Sequence, residues 1–153
     1  MSEAGMSLRR MAVKQHDQTM APCQALPHAA VIAFGMALVK SGANLETLFD
    51  VAPPPMRTMM ALLSRILSNP MEVYWDIQYE NPYAAEQRDV LVEALTQLRG
   101  WMHNNDQKAF SNQLIDVAQQ LGAHRASGAS ECQRLFSLLN EFGPGNNRTR
   151  QND

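Results

Sequence analysis

Apolar residues recur along this chain at helical spacing and almost nowhere with the alternation of a strand. Val90, Leu91, Ala94, Leu95, Leu98 and Met102 trace one helical stripe, and Phe110, Leu114, Val117 and Leu121 trace another. Met59, Met60, Leu63, Ile66 and Leu67 mark the inner face of a helix over Met56 to Ser68. The segment from Ala29 to Val39 differs, because it is apolar on nearly every side. That is the pattern of a helix buried all round, so it is expected to be the central rod of the domain or of a dimer. Met6 to Val13 is the strand candidate in this reading.

Local signals set the boundaries. A long first helix is expected over Lys14 to Lys40, and Ser41-Gly42 ends it. Pro22 and Pro27 lie inside it. Each lacks a backbone donor and crowds the preceding turn, which predicts a kink or a late helix start. Asn44 caps a short helix through Val51, and Pro53-Pro54-Pro55 forces an extended bend. A further helix begins with Pro70 in its first position and ends near Tyr79. Asn81-Pro82 opens a long one to His103, Asp106 caps one to about Leu121, and a last one covers Glu131 to Glu141. Three parts result: an extension or remnant linker over 1–13, a helical domain over 14–142, and a polar tail over 143–153 expected to be disordered. The fold class is all-α.

Composition narrows the function classes. With 153 residues, 45% hydrophobic and 18% charged, the chain suits one globular domain. A net charge of -2 and a pI near 6.1 carry no electrostatic footprint for nucleic acid or an anionic membrane. Cys23 and Cys132 have no metal-ligand spacing and read as free thiols in a reducing compartment. The first ten residues hold no signal-peptide core, and Ala29 to Val39 is too short to span a bilayer, so a soluble cytoplasmic protein is expected. Ten methionines suit irregular packing and adaptable interfaces.

The chemistry is sparse. The chain lacks GxGxxG, a P-loop, HExxH and GxSxG. Its histidines, His16, His28, His103 and His124, lie far apart, so no metal site is expected. What remains is a polar row on the first helix, where His16, Met20, Gln24 and His28 step by four. Arg57 follows the proline bend at a helix start, where the helix dipole favours anions over cations. That placement hints at an anionic partner, and a guanidinium grips a carboxylate with two parallel bonds. The plainer alternatives are structural histidines, Arg57 pairing with Glu46 or Asp50, and a structural Arg65.

Taken in order, these residues resemble a known family. His16-Asp17-Gln18-Thr19-Met20-Ala21, Gln24-Ala25-Leu26-Pro27-His28 and Ala33-Phe34-Gly35-Met36-Ala37-Leu38 are similar to the opening helix of the C-terminal domain of prephenate and arogenate dehydrogenases. Asn44-Leu45-Glu46, the bend with Arg57, Leu67-Ser68-Asn69-Pro70, Tyr74-Trp75-Asp76-Ile77 and Gln78-Tyr79-Glu80-Asn81-Pro82 follow the same order, so the resemblance runs from His16 to about Leu121. It implies a helical bundle of the 6-phosphogluconate dehydrogenase C-terminal-like, prephenate dehydrogenase dimerisation type, with two copies interlocked. It further implies that His16 and Arg57 line a prephenate site, Arg57 holding a carboxylate, while Gln24 and His28 match motif positions. Pro22 and Pro27 depart from the commoner residues there.

The family keeps its cofactor and catalytic histidine in a Rossmann domain that this chain does not contain. The expected function is therefore a stand-alone domain that dimerises and binds a small carboxylate through Arg57, His16 and Gln24, without NAD-dependent hydride transfer on its own. Its setting would be aromatic amino-acid or chorismate-derived specialised metabolism. The alternative is a cofactor-independent isomerase, epimerase or decarboxylase with His16 and His28 as acid/base groups. No cofactor or metal is expected. The expected partners are a second copy, the carboxylate, and a separately encoded Rossmann-type or other biosynthetic subunit, with neither nucleic acid nor membrane.

Overall fold

The computed structural model describes residues 12–141, and helices fill most of that span. The first is a continuous rod of 28 residues, Val13–Lys40. It is built from α1 (Val13–Met20), a π-helical turn (Ala21–Ala25) and α2 (Leu26–Lys40). The two prolines do not break it. Pro22 opens the π turn and Pro27 opens α2, so each ring sits where the wider winding removes the clash with the preceding carbonyl. Ahead of Pro22, the Ala21 N–H still reaches the Asp17 carbonyl. The expected kink is thus an underwound turn.

Beyond the rod, each boundary has a local cause. Gly42, at φ 70, turns the chain after α2. Asn44 Oδ1 accepts the Thr47 N–H at 3.0 Å and starts α3 (Leu45–Val51). Only Pro53 of the proline run stays extended, because Pro54 and Pro55 fit the first turn of α4 (Pro54–Leu67). Pro70 caps α5 (Met71–Tyr79) from outside and is not its first residue. Asn81 Oδ1 accepts the Tyr83 N–H at 2.9 Å in the turn before α6 (Ala84–His103). Asn105 at φ 52 and the Asp106 cap on Ala109 lead into α7 (Gln107–Leu121). The last helix, α8, runs His124–Glu141 and starts earlier than the expected Glu131. Its first turns carry small polar residues with no apolar stripe to reveal them.

Of the strand candidate, Met6 to Met11 lies outside the described residues, Ala12 is extended and Val13 already begins α1. The tail over 143–153 also lies outside them. Among the described residues there is no strand.

The tightest packing is where the π turn meets α5 and α6. Ala21, Ala25 and Ala84 are fully buried there, and only methyl-sized side chains permit that approach. Further along, Gly35 faces α4 so closely that a Cβ would lie 2.8 Å from Leu63 Cδ1. Val31, Met60 and Ile66 complete this small core.

The expected burial of the rod is not achieved within one chain. Met36 and Val39 are 69% and 71% exposed. The inner stripes read on α6 and α7 are also uncovered, with Met102 57% and Leu114 53% exposed. By length and composition the unbroken rod Val13–Lys40 suffices to cross a bilayer, although Ala29 to Val39 alone does not. Within the domain it packs against α4 and α6.

Candidate functional site

A cleft of about 460 Å³ opens between α2, α4 and α5. Val31, Ile66 and Ile77 supply apolar wall, while Gln24, His28, Arg65, Asn69 and Tyr74 bring polar groups to it. Gln24 belongs to the π turn and His28 follows one turn later, so the rod presents both to the same side. Arg65 and Asn69 stand four residues apart at the end of α4. The Asn69 amide donates to the Arg65 carbonyl at 2.7 Å and to the Tyr74 hydroxyl at 3.1 Å. It thereby closes α4 and ties it to α5.

The electrostatics favour an anion. The His28 ring meets Tyr74 edge-on, with centroids 5.2 Å apart, and its buried Nδ1 has no hydrogen-bond partner among the described residues. Burial first, and the Arg65 charge second, hold its pKa below the ordinary 6.5, so the imidazole is neutral at pH 7. The Arg65 guanidinium makes no hydrogen bond or ion pair with another described residue. Among the described residues no carboxylate lines the cleft. A guanidinium, two amides, a neutral imidazole and a phenol over an apolar floor suit a carboxylate group of a small ring acid.

The residues named from sequence divide. Gln24 and His28 line the cleft. His16 does not: it is exposed on α1, 3.2 Å from Asp17 Oδ1, and about 18 Å from His28 along the rod. Arg57 is also elsewhere. Its Nη2 donates to the Leu139 carbonyl in the last turn of α8, and it pairs with neither Glu46 nor Asp50. It lies about 12 Å before Arg65 along α4. Arg65, read from sequence as structural, is the cation that faces the cleft. The signal for it was its place with Asn69 on the last turn of a helix ended by Pro70, which had no direction until α2 and α5 were in position.

Comparison with known proteins settles the relationship. Residues 12–116 match the family model described as prephenate dehydrogenase, dimerization domain. This chain belongs to that family. A 4-amino-4-deoxyprephenate dehydrogenase of Streptomyces pristinaespiralis is 37% identical over 135 residues, covering 88% of this chain and 46% of that protein. The T-protein of Enterobacter agglomerans is 28% identical over 144 residues, covering 92% of this chain and 38% of that protein. A probable arogenate/prephenate dehydrogenase of Methanocaldococcus jannaschii is 25% identical, covering 84% and 29%. The chain thus spans less than half the length of these relatives. No solved structure matches.

The family resemblance read from His16 to Leu121 and the all-α fold are borne out. Every cleft residue falls within the matched span, whereas Leu139, the partner of Arg57, lies beyond it. The dehydrogenases of this family imply a nicotinamide dinucleotide, and the described residues do not fit one. They contain no strand, hence no strand–Gly turn–helix unit to seat a pyrophosphate. Among them there is likewise no group of three potential metal ligands.

Proposed function

We propose that this dimerisation-family domain pairs with a second copy and holds a small carboxylate of prephenate type in the α2–α4–α5 cleft. One observation carries the ligand: the Arg65 guanidinium, without a hydrogen-bond or ion-pair partner among the described residues, beside neutral His28 in a cleft to which the described residues bring no carboxylate. Gln24 and Asn69 add amide donors that orient the acid, and Val31, Ile66 and Ile77 take its ring. The Streptomyces relative, named for a prephenate-type acid, supports the ligand class. The setting is aromatic amino-acid or chorismate-derived metabolism in the cytoplasm. The uncovered faces of α2, α6 and α7 support pairing. Hydride transfer falls to a nucleotide-binding unit outside the described residues, which have no strand–Gly turn–helix seat for a dinucleotide. A cofactor-free acid/base enzyme has no observation in its favour, since His16 stands outside the cleft that holds His28.

Calorimetric titration with prephenate, 4-hydroxyphenylpyruvate and acetate, together with light scattering after gel filtration, tests both halves. Saturable binding of the ring acids and a dimeric mass are expected. A monomer, or the absence of binding by any ring acid, would refute the corresponding half.

A further inference from the structure

The cleft depends on an unusual piece of backbone. A π turn is rare, is most often a single insertion in an α-helix, and changes the direction of every side chain after it. Here it places Gln24 within the turn and His28 just beyond. Something must hold this winding, and the surrounding helices supply it. The Gln78 side chain on α5 donates from Nε2 to the Ala25 carbonyl at 2.8 Å. Arg88 on α6 donates from Nη1 to the Gln78 carbonyl at 2.6 Å and to its Oε1 at 3.0 Å. With Oε1 committed to Arg88, the amide has one orientation left, in which Nε2 faces Ala25. At the other end, Asn81 Nδ2 donates to the Asp17 carbonyl at 2.9 Å. Neither Gln78 nor Arg88 lines the α2–α4–α5 cleft.

We propose that Gln78 and Arg88 are positioning residues for the carboxylate site: the Arg88–Gln78–Ala25 chain locks the π turn so that Gln24 and His28 face Arg65. This rests on the carboxylate-binding reading above. The chain is asymmetric, since Arg88 only donates, Gln78 accepts and donates, and Ala25 only accepts. The chemistry of each link is therefore predictable. A glutamate at position 78 would keep the Arg88 contact and lose the donor to Ala25.

The test uses the full chain, ¹⁵N-labelled, with two readouts. Long-range ¹H–¹⁵N spectra of the His28 imidazole, without ligand, report its tautomer and surroundings. Titration with prephenate reports the site. Gln78→Glu is expected to move the His28 ring resonances and to weaken binding about five- to tenfold, the scale of one lost hydrogen bond. Arg88→Met should do the same, and Arg88→Lys, which keeps a donor, should restore most of both signals. Asn44→Ala removes the α3 cap far from the cleft, so it should lower thermal stability and leave both readouts unchanged. If Gln78→Glu does not fold, the Arg88→Met and Arg88→Lys pair decides. Unmoved His28 resonances in a folded Gln78→Glu or Arg88→Met chain, or no rescue by lysine, would overturn the clamp. Because the imidazole spectra need no ligand, failure of the wild type to bind prephenate counts against the carboxylate reading, and the spectra judge the clamp separately.

Discussion

Replacing Arg65 with alanine removes the guanidinium from the cleft and little else, because that group makes no bond within the described residues. Folding should hardly change, whereas carboxylate binding should fall. A hydrogen bond to a charged group contributes about 1.5–3 kcal/mol. Arg65 is exposed, so solvent screening reduces that to roughly 1–2 kcal/mol, a loss of about 5- to 30-fold in affinity. The same screening predicts that wild-type affinity declines with added salt, the Debye length being about 8 Å at 0.15 M. Arg57→Ala is the matched comparison. It removes the bond to the Leu139 carbonyl that anchors α8 to α4, at a stability cost of about 1–2 kcal/mol, and leaves the cleft intact. Calorimetric titration with prephenate and thermal melts of both variants give the two numbers for each. If Arg57→Ala abolishes binding while Arg65→Ala retains it, the anion site has been placed on the wrong turn of α4.

His28 makes the chain sensitive to acid. Its folded pKa lies below 6.5, so the unfolded chain takes up the proton first; the stability it contributes is complete above pH 6.5 and is lost as the pH falls through the lower folded value. Denaturant melts at stepped pH should show that decline, and His28→Asn should flatten it. A bound carboxylate favours the protonated ring, so prephenate affinity should rise from pH 7 to pH 6; a falling profile would show that the anion avoids His28. Ala84→Leu inserts three carbons against Ala21 and Ala25, where no room exists, and should lower stability by about 1–3 kcal/mol in a denaturant titration. Leu98→Glu places a charge on the uncovered stripe of α6 and should shift the mass seen by light scattering from dimer to monomer, whereas an unchanged dimer would locate the interface elsewhere.

The uncovered stripes explain an apparent conflict between pattern and burial. Leu95, Leu98 and Met102 on α6, and Leu114 and Leu121 on α7, have the spacing of core positions, yet all are exposed in the single chain. Periodicity reports only that a face needs covering. It is silent on whether the cover comes from the same chain or from a second copy.

Local chemistry was legible from residues alone. Asn44 and Asp106 cap the helices they were read to cap, because a side-chain oxygen two or three residues from an orphan amide has nowhere better to bond. Gly42 closes the rod for an equally local reason, its positive φ. The ordered motifs from His16 to Asn81-Pro82 were enough for the family. The cleft was not legible in the same way. Two arginines on α4 differ only in which neighbour they meet, and that neighbour is distant in sequence: Leu139 for Arg57, and His28 with Tyr74 for Arg65. The π turn was hidden too, since Pro22 and Pro27 predict a disturbance, but its form depends on Gln78 and Asn81 reaching the carbonyls of Ala25 and Asp17. Caps and turns arise from contacts within a few residues and so can be read along the chain. A binding cleft arises where separate helices converge, and their side chains acquire partners only once packing has fixed the crossing.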